Sequence, residues 1–171
     1  NACPENPLVY SLSDHPPLPC ATTAVQIAKD YGKYTITQPT LWTTDRFVTE
    51  LNIEPGGELI ISGAEITFAS GSRVRVNRGA RMIVDNSTLK GRSCSNTDKF
   101  WPGIQVHGNI NLSQPAPNAS LTNPDQAGIL IIRNGSRVEG VDHTAIRNYN
   151  NQVWNDENGG LIIAEDSYFE G

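Results

Sequence analysis

The sequence predicts an all-β fold in which short parallel strands stack into a solenoid. Three observations support this prediction: a repeat of 23 residues, short runs in which apolar and polar residues alternate, and Gly, Asn or Asp between the runs. The alternation is typical of strands with one buried face. A repeat of this length with little helical periodicity is typical of a parallel β-solenoid.

Composition narrows the class of protein. The 171 residues are the length of one domain, and the formal net charge of −5 disfavours a general nucleic-acid binder. No run of about 18 apolar residues occurs, so we expect no membrane insertion. The start Asn1-Ala2-Cys3 is what cleavage of a signal peptide, or excision from a longer protein, would leave. A secreted, extracellular or cell-surface location is expected.

Residues 1–46 are predicted to form an irregular N-terminal cap or linker, because they are rich in proline and show no clean period. Cys3 and Cys20 flank a Pro-rich segment that could bury little by itself. A disulfide between them is therefore favoured, and it would imply an oxidising compartment. The alternatives are that all three cysteines are free thiols, or that Cys20 pairs with Cys94.

Residues 47–171 are predicted to form the solenoid. At a shift of 23 residues, 51–61 lie over 74–84, and every apolar position meets an apolar position. The pattern returns at 131–138 and 162–169, which makes about four coils. Each repeat places a small residue two positions before a large inward one; the small residues are Ala64, Ser87, Ser136 and Ser167. Loop insertions are expected near 91–100, 109–126 and 148–158.

The alternation also predicts which residues face the interior. Polar residues at the intervening positions would then face outward. The expected core comprises Leu51, Ile53, Leu59, Ile61, Ile66, Val74, Val76, Met82, Val84, Leu89, Ile104, Val106, Ile131, Val138, Ile146, Ile162 and Phe169.

Stacking at about 4.8 Å makes residues one repeat apart vertical neighbours. Glu50 is then expected beside Arg73, and Glu58 beside Arg81. The one basic cluster of the chain comprises Arg73, Arg75, Arg78, Arg81, Lys90 and Arg92. It is either a site for an anion or acidic polysaccharide, or a coil whose charges complement the acidic coil below. The second interpretation is favoured; such exposed pairs contribute about 0–1 kcal/mol each and help to set the stacking register.

Acidic residues recur near the predicted turns, at Asp85, Asp142, Glu165 and Asp166. Two carboxylates at a fixed separation could hydrolyse a glycosidic bond, and a calcium site from Glu139, Asp142 and Asp166 is conceivable without any ligand spacing to support it. Turns favour Asp and Asn for backbone reasons, so structural turn residues are the favoured interpretation. No catalytic residue, metal site or cofactor is predicted.

A tripeptide and the three histidines are further candidates for catalytic residues. Asn96-Thr97-Asp98 resembles a tripeptide at the polygalacturonase active site, but it lies in an insertion and the other motifs of those enzymes are missing, so a surface loop is favoured. The histidines stand beside no nucleophile in a recognisable motif, and they receive no role. They are His15, His107 and His143.

Tryptophans in a row can form a platform on which sugars stack. Trp42 lies just before the first predicted coil, and Trp101 starts a predicted strand after an insertion. Local packing of loops against the solenoid wall is the favoured role for both, and also for Trp154. Trp154 lies in the Asn-rich loop 148–158. Among the three tryptophans it is the best candidate for an exposed glycan contact.

Four segments carry a resemblance to a known family: Thr40-Leu41-Trp42-Thr43-Thr44-Asp45, Leu51 to Leu59, Gly79 to Asp85, and Trp101-Pro102-Gly103-Ile104-Gln105-Val106. Residues 38–171 resemble the right-handed parallel β-helix regions of large secreted surface proteins of Bacteroidetes-type bacteria, many of them exported by the type IX secretion system. The resemblance implies a right-handed parallel β-helix. It also implies an adhesin or extracellular scaffold protein more than an enzyme.

The expected function is a non-enzymatic extracellular structural or adhesive solenoid, such as a filament or surface-layer component. Gly171 follows a strand position directly with no capping sequence, so self-association through the solenoid ends is expected. A glycan or cell-surface partner is also expected. The alternatives are a polysaccharide lyase or glycosidase, and a non-catalytic glycan-binding module.

Overall fold

The structure is a computed structural model that describes residues 31–92, 101–141, 146–147 and 159–170. Within these ranges every regular element is a β-strand, and every paired strand runs parallel to its neighbour. The prediction of an all-β fold is confirmed for these residues. The chain forms two parallel sheets, one of eight strands and one of five.

The strands follow the short alternating runs of the sequence. In chain order they are β1 (Tyr31–Ile36), β2 (Thr40–Trp42), β3 (Arg46–Ile53), β4 (Glu58–Ser62), β5 (Glu65–Val76), β6 (Arg81–Asp85), β7 (Thr88–Gly91), β8 (Ile104–Val106), β9 (Ile129–Arg133), β10 (Ser136–Glu139), β11 (Ile146–Arg147), β12 (Leu161–Ala164) and β13 (Ser167–Glu170). The first sheet has the order β1-β3-β5-β7-β10-β13, and β8 pairs with β5 and β11. The second sheet has the order β2-β4-β6-β9-β12.

The pairing register reproduces the sequence repeat. Glu58 of β4 pairs with Arg81 of β6, and Leu51 of β3 pairs with Val74 of β5. From β1 to β7 successive strands alternate between the two sheets, so that each pair of strands adds one layer to both. Parallel pairing between consecutive layers is what places residues one repeat apart against each other.

The sheets begin earlier in the chain than the sequence predicts. β1 and β2 lie within residues 1–46, for which the sequence predicts a cap, and they pair with β3 and β4 respectively. The second sheet accordingly has one strand more than the four repeats detected. A three-residue strand such as β2, placed after Pro39, is too short to display a period of two.

The core lies between the two sheets, where the inward side chains of successive layers form columns. Leu59, Met82 and Leu130 occupy one such column in the second sheet, and all three are fully buried. The predicted core residues are buried with four exceptions. These are Ile131, Ile146, Ile162 and Phe169.

Two of these exceptions have clear physical causes. The register pairs Met82 with Leu130, which turns Leu130 inward and Ile131 outward. Because residues 129–132 are all apolar, no alternation in the sequence marks which face is buried. Phe169 is 45% exposed because β13 has a neighbouring strand on one side only among the described residues.

A ladder of buried serines joins the layers at the corner between the sheets. Ser87 Oγ accepts a hydrogen bond from Ala64 N at 3.2 Å, and Ser136 Oγ accepts one from Ser87 N at the same distance. The hydroxyl of Ser136 donates to Arg133 O at 2.6 Å. The small-residue positions of the repeat therefore satisfy backbone groups that the tight corner leaves unpaired in the strands.

We expect Ser136→Ala to lower the free energy of unfolding by about 1–3 kcal/mol, because it leaves the buried N–H of Ser87 without an acceptor. Ser72→Ala is the matched control. Ser72 is equally buried, but its Oγ has no hydrogen-bond partner in the described part of the chain, so its removal should be neutral or slightly stabilising. Urea unfolding of both variants measures the difference. Equal losses would contradict the role of the ladder.

Candidate functional site

Outward polar side chains gather in two places. The first is the corner where strands of the second sheet end, which we call the corner cluster and define as Asp85, Arg133 and Asn134. The second is the outer surface of the first sheet around β5, which we call the arginine face. It is defined by Arg73, Arg75 and Gln105.

The corner cluster stands on an unusual backbone conformation. Asn86, Asn134 and Asp166 follow the ends of β6, β9 and β12 and have φ values of 46°, 57° and 44°. Asn and Asp tolerate this left-handed region better than other non-glycine residues. The sequence interpretation of Asp166 as a turn residue agrees with this conformation.

Asp85 is held by donors from the next layer. Its Oδ2 accepts hydrogen bonds from Arg133 Nε at 2.8 Å and Nη2 at 2.7 Å, and its Oδ1 accepts one from Asn134 Nδ2 at 2.8 Å. The hydrogen bond from Asn134, followed by those from Arg133, lowers the pKa of Asp85 below its ordinary value of 3.8. These contacts keep the carboxylate ionised and tie β6 to β9.

The lowered pKa predicts how stability depends on pH. Because the folded pKa of Asp85 lies below the unfolded one, its contribution is present above about pH 4 and is lost as the pH falls through the folded value. Asp85→Asn should therefore unfold at lower urea than the parent at neutral pH. The gap between the two proteins should close as the pH falls below 3.8.

Glu165→Gln is the control for this titration, because Glu165 lies at the corner after β12 with its side chain exposed. At neutral pH its unfolding curve should follow that of the parent, because the removed carboxylate is exposed. A gap between Asp85→Asn and the parent that stays constant with pH would show that the charge of Asp85 does not carry the effect.

The arginine face is built by three strands in register. Asn52 of β3, Arg75 of β5 and Gln105 of β8 occupy one column, and their side chains point outward because the alternate residues Val74 and Val76 are buried. Arg73 lies two residues before Arg75 on the same surface.

A second polar network borders this face. Asn77 Nδ2 donates to Asn52 Oδ1 at 2.8 Å and to Glu54 Oε2 at 3.3 Å, and Asn52 Nδ2 donates to Glu54 Oε1. The carboxylate of Glu54 is therefore bonded to two amides. The network joins the layers of β3 and β5.

Of the two predicted charge pairs, one forms an ion pair in the structure and the other does not. Arg81 Nη1 lies 2.6 Å from Glu58 Oε2. Glu50 and Arg73 are register partners, but within the described residues Glu50 forms its ion pair with Lys33 Nζ of β1, at 3.3 Å. The sequence gives no sign of this competition, because it predicts residues 1–46 to be a cap.

Some of the other residues of the basic cluster have an acceptor among the described residues, and others have none. Arg78 Nε donates to Gly108 O at 2.8 Å, and Lys90 Nζ lies 2.7 Å from Glu65 Oε1. Arg81 also donates to Ala119 O in the loop 109–126. Arg73 and Arg75, by contrast, have no acceptor among the described residues, and Arg75 Nε is shielded from solvent.

Two tryptophans belong to the interior rather than to a platform. Trp101 is fully buried, stacks on Phe68 with ring centroids 4.1 Å apart, and donates from Nε1 to Glu139 O at 2.9 Å. Trp42 is 3% exposed and meets Tyr34 edge-on at 4.9 Å. Neither ring is available for a sugar.

One surface feature escaped the sequence interpretation. An aliphatic column runs up the outer surface of the second sheet, one side chain per strand, and it consists of Leu41, Ile60, Ile83, Ile131 and Ile163. The available signal was the apolar residue between two inward ones in β4 and β6. Leu41, the first member, is 60% exposed.

Several predicted residues lie outside the described ranges. They include Cys3, Cys20, Cys94, Asn96 to Asp98, Asp142, His15, His143 and Trp154. The disulfide and the glycan contact at Trp154 stay predictions. In the described ranges no group of three or more His, Cys, Asp or Glu residues could hold a metal ion.

Comparison with known proteins adds no assignment to this geometry. No protein-family model matches the chain, no curated protein matches it, and no solved structure matches it. Among the described residues no helix is long and apolar enough to cross a membrane. The functional inference depends on the residues themselves.

Proposed function

We propose that this chain is a right-handed parallel β-helix that acts as a non-enzymatic, secreted structural or adhesive element. The supporting observation is the use of its polar side chains, which link one layer to the next. The serine ladder, the Asn77 network and the Asp85–Arg133 contacts all join adjacent layers. Such links favour a rigid stack of fixed register.

The contacts of Asp85 support this role over glycoside hydrolysis. A general acid needs a raised pKa, whereas hydrogen bonds from Asn134 and Arg133 lower the pKa of Asp85. Both of its oxygens are occupied by donors of the same chain. Asp85 therefore stabilises the contact between adjacent layers.

The proposal includes self-association through the edge of β12 and β13 that no other strand covers among the described residues. The inward column Ile66, Leu89 and Val138 is fully buried, whereas Phe169, the next residue in that column, is 45% exposed. A strand of a second copy laid on β13 would pair its backbone and cover this ring.

Sedimentation velocity over a range of concentrations tests this step. The parent should associate as its concentration rises, whereas Phe169→Asp should stay monomeric because it places a charge in the apolar contact. Leu112→Asp is the matched control, since Leu112 is similarly exposed, at 46%, but lies in the loop 109–126. It should associate like the parent. A parent that remains monomeric, or a Phe169→Asp variant that associates normally, would overturn the proposal.

Secretion has its own test, in line with the resemblance to secreted Bacteroidetes-type surface proteins. A disulfide between Cys3 and Cys20 is expected in the natural protein, because disulfides persist in oxidising compartments. Peptide mapping without reduction should recover a linked peptide that contains both residues. Complete alkylation of all three cysteines without reduction would contradict this expectation.

A further inference from the structure

The arginine face carries charge that the chain itself does not compensate. Arg73 is exposed and Arg75 is half-buried, and neither has an acceptor among the described residues. The two lie on one strand with one residue between them, so their side chains leave the sheet about 7 Å apart. Both are found on a chain whose formal net charge is −5.

The acidic neighbours on this face are already engaged. The carboxylate of Glu50 faces Lys33 Nζ at 3.3 Å, and that of Glu54 accepts hydrogen bonds from Asn77 and Asn52. Neither forms an ion pair with Arg73 or Arg75. The guanidinium groups are therefore left with open donors.

Arg75 specifies the kind of acceptor. Its Nε is shielded from solvent, but its terminal Nη groups are not, and they have no acceptor among the described residues. A planar carboxylate matches the fork of a guanidinium and can accept two parallel hydrogen bonds from it. Gln105 lies next to Arg75 in register on β8 and adds an amide about 4.8 Å away.

The arrangement suits an extended ligand better than a single small anion. Donors are spaced both along β5 and across to β8, on a sheet surface rather than in a cavity. A polymer with a carboxylate on successive units can reach Arg73 and Arg75 together, and linked contacts reinforce each other. The net charge of −5 weakens the long-range attraction of any polyanion, so binding here depends on the local contacts of Arg73 and Arg75.

We propose that the arginine face binds a carboxylated polysaccharide through Arg73 and Arg75, with Gln105 as a supporting amide. This site goes beyond the structural role proposed above and does not require self-association. Binding should weaken as the salt concentration rises, because the contacts are charge-assisted and lie at the surface.

Affinity electrophoresis and calorimetry with sodium polygalacturonate test the proposal on the complete chain. Arg73→Gln/Arg75→Gln should bind polygalacturonate at least about tenfold more weakly than the parent, since one lost charged hydrogen bond is worth a factor of about ten. Arg137→Gln is the matched control. Arg137 is exposed on β10 of the same sheet and lies 3.7 Å from Glu139, so it should bind like the parent.

Three further polymers test whether the site prefers carboxylates to neutral sugars, sulfates or phosphates. Neutral dextran should not bind, and dextran sulfate and duplex DNA should bind more weakly than polygalacturonate. Equal or tighter binding of duplex DNA or dextran sulfate would overturn the choice of a carboxylated polysaccharide. Unchanged affinity of the double variant, an equal loss in Arg137→Gln, or no binding by the parent would overturn the site. Unfolding curves that match the parent confirm that the double variant is folded.

Discussion

Gly128→Ala is expected to destabilise the chain by about 3 kcal/mol, because a methyl group would enter space held by backbone oxygens. A Cβ at this position would lie 2.6 Å from Asn77 O, 2.7 Å from Val76 O and 3.1 Å from His107 O. Two of these carbonyls already accept ladder bonds: His107 O from Gly128 N at 2.8 Å, and Val76 O from His107 N at 2.9 Å. They cannot retreat without breaking the pairing between layers.

Gly63→Ala separates this crowding from backbone strain. Gly63 has a φ of +65° and nothing within 4 Å of its added Cβ, so alanine there should cost only the left-handed conformation, about 1 kcal/mol. Urea unfolding of the two variants, with circular dichroism to check the fold, gives the comparison. If Gly128→Ala is no more costly than Gly63→Ala, close approach of the layers is not what requires glycine.

Trp101→Ala should cost about 3–5 kcal/mol, because it empties a large interior volume beside Phe68. Trp101 is fully buried, its ring lies nearly parallel to that of Phe68 with an interplanar angle of 15°, and it lies shortly before β8. Its indole N–H also satisfies Glu139 O. The residue therefore anchors the segment before β8 to the interior.

Trp101→Phe keeps an aromatic ring against Phe68 but loses the hydrogen bond to Glu139 O. We expect a loss of about 1 kcal/mol from the missing bond, plus a smaller packing term for the reduced ring. Chemical denaturation of both variants measures the difference. Equal effects of alanine and phenylalanine would show that ring stacking does not stabilise this layer.

The interior could be predicted wherever alternation was strict. Leu51 and Val74 alternate with polar neighbours, were placed inward one repeat apart, and are register partners in the structure. A period of two is a local property of the chain, and burial of one face of a strand is enough to impose it. The small corner residues Ser87 and Ser136 were found for the same reason.

Prediction failed where local pattern was weak. The strand β2 has three residues, and β9 is apolar throughout, so neither shows which face is buried. Ile131 was placed inward, whereas pairing with β6 turns Leu130 inward instead. In such strands the register is decided by the neighbouring strand.

The arginine face could be predicted less well than the interior, because its ion pairs depend on tertiary structure. The repeat set Glu50 beside Arg73 and Glu58 beside Arg81, and the chain does bring both pairs into register. Only the folded arrangement decided that Glu50 binds Lys33 and that Arg73 is left open.

By itself, the sequence determined an all-β chain of parallel strands, the 23-residue register of its regular layers, and most of the interior. The tertiary structure alone decided which charges are compensated, how the pKa of Asp85 is lowered, and where glycine is required. The physical reason is the distance along the chain over which each effect acts. Alternation acts within one strand, whereas an ion pair or a close backbone approach depends on which residue of another layer arrives at that point.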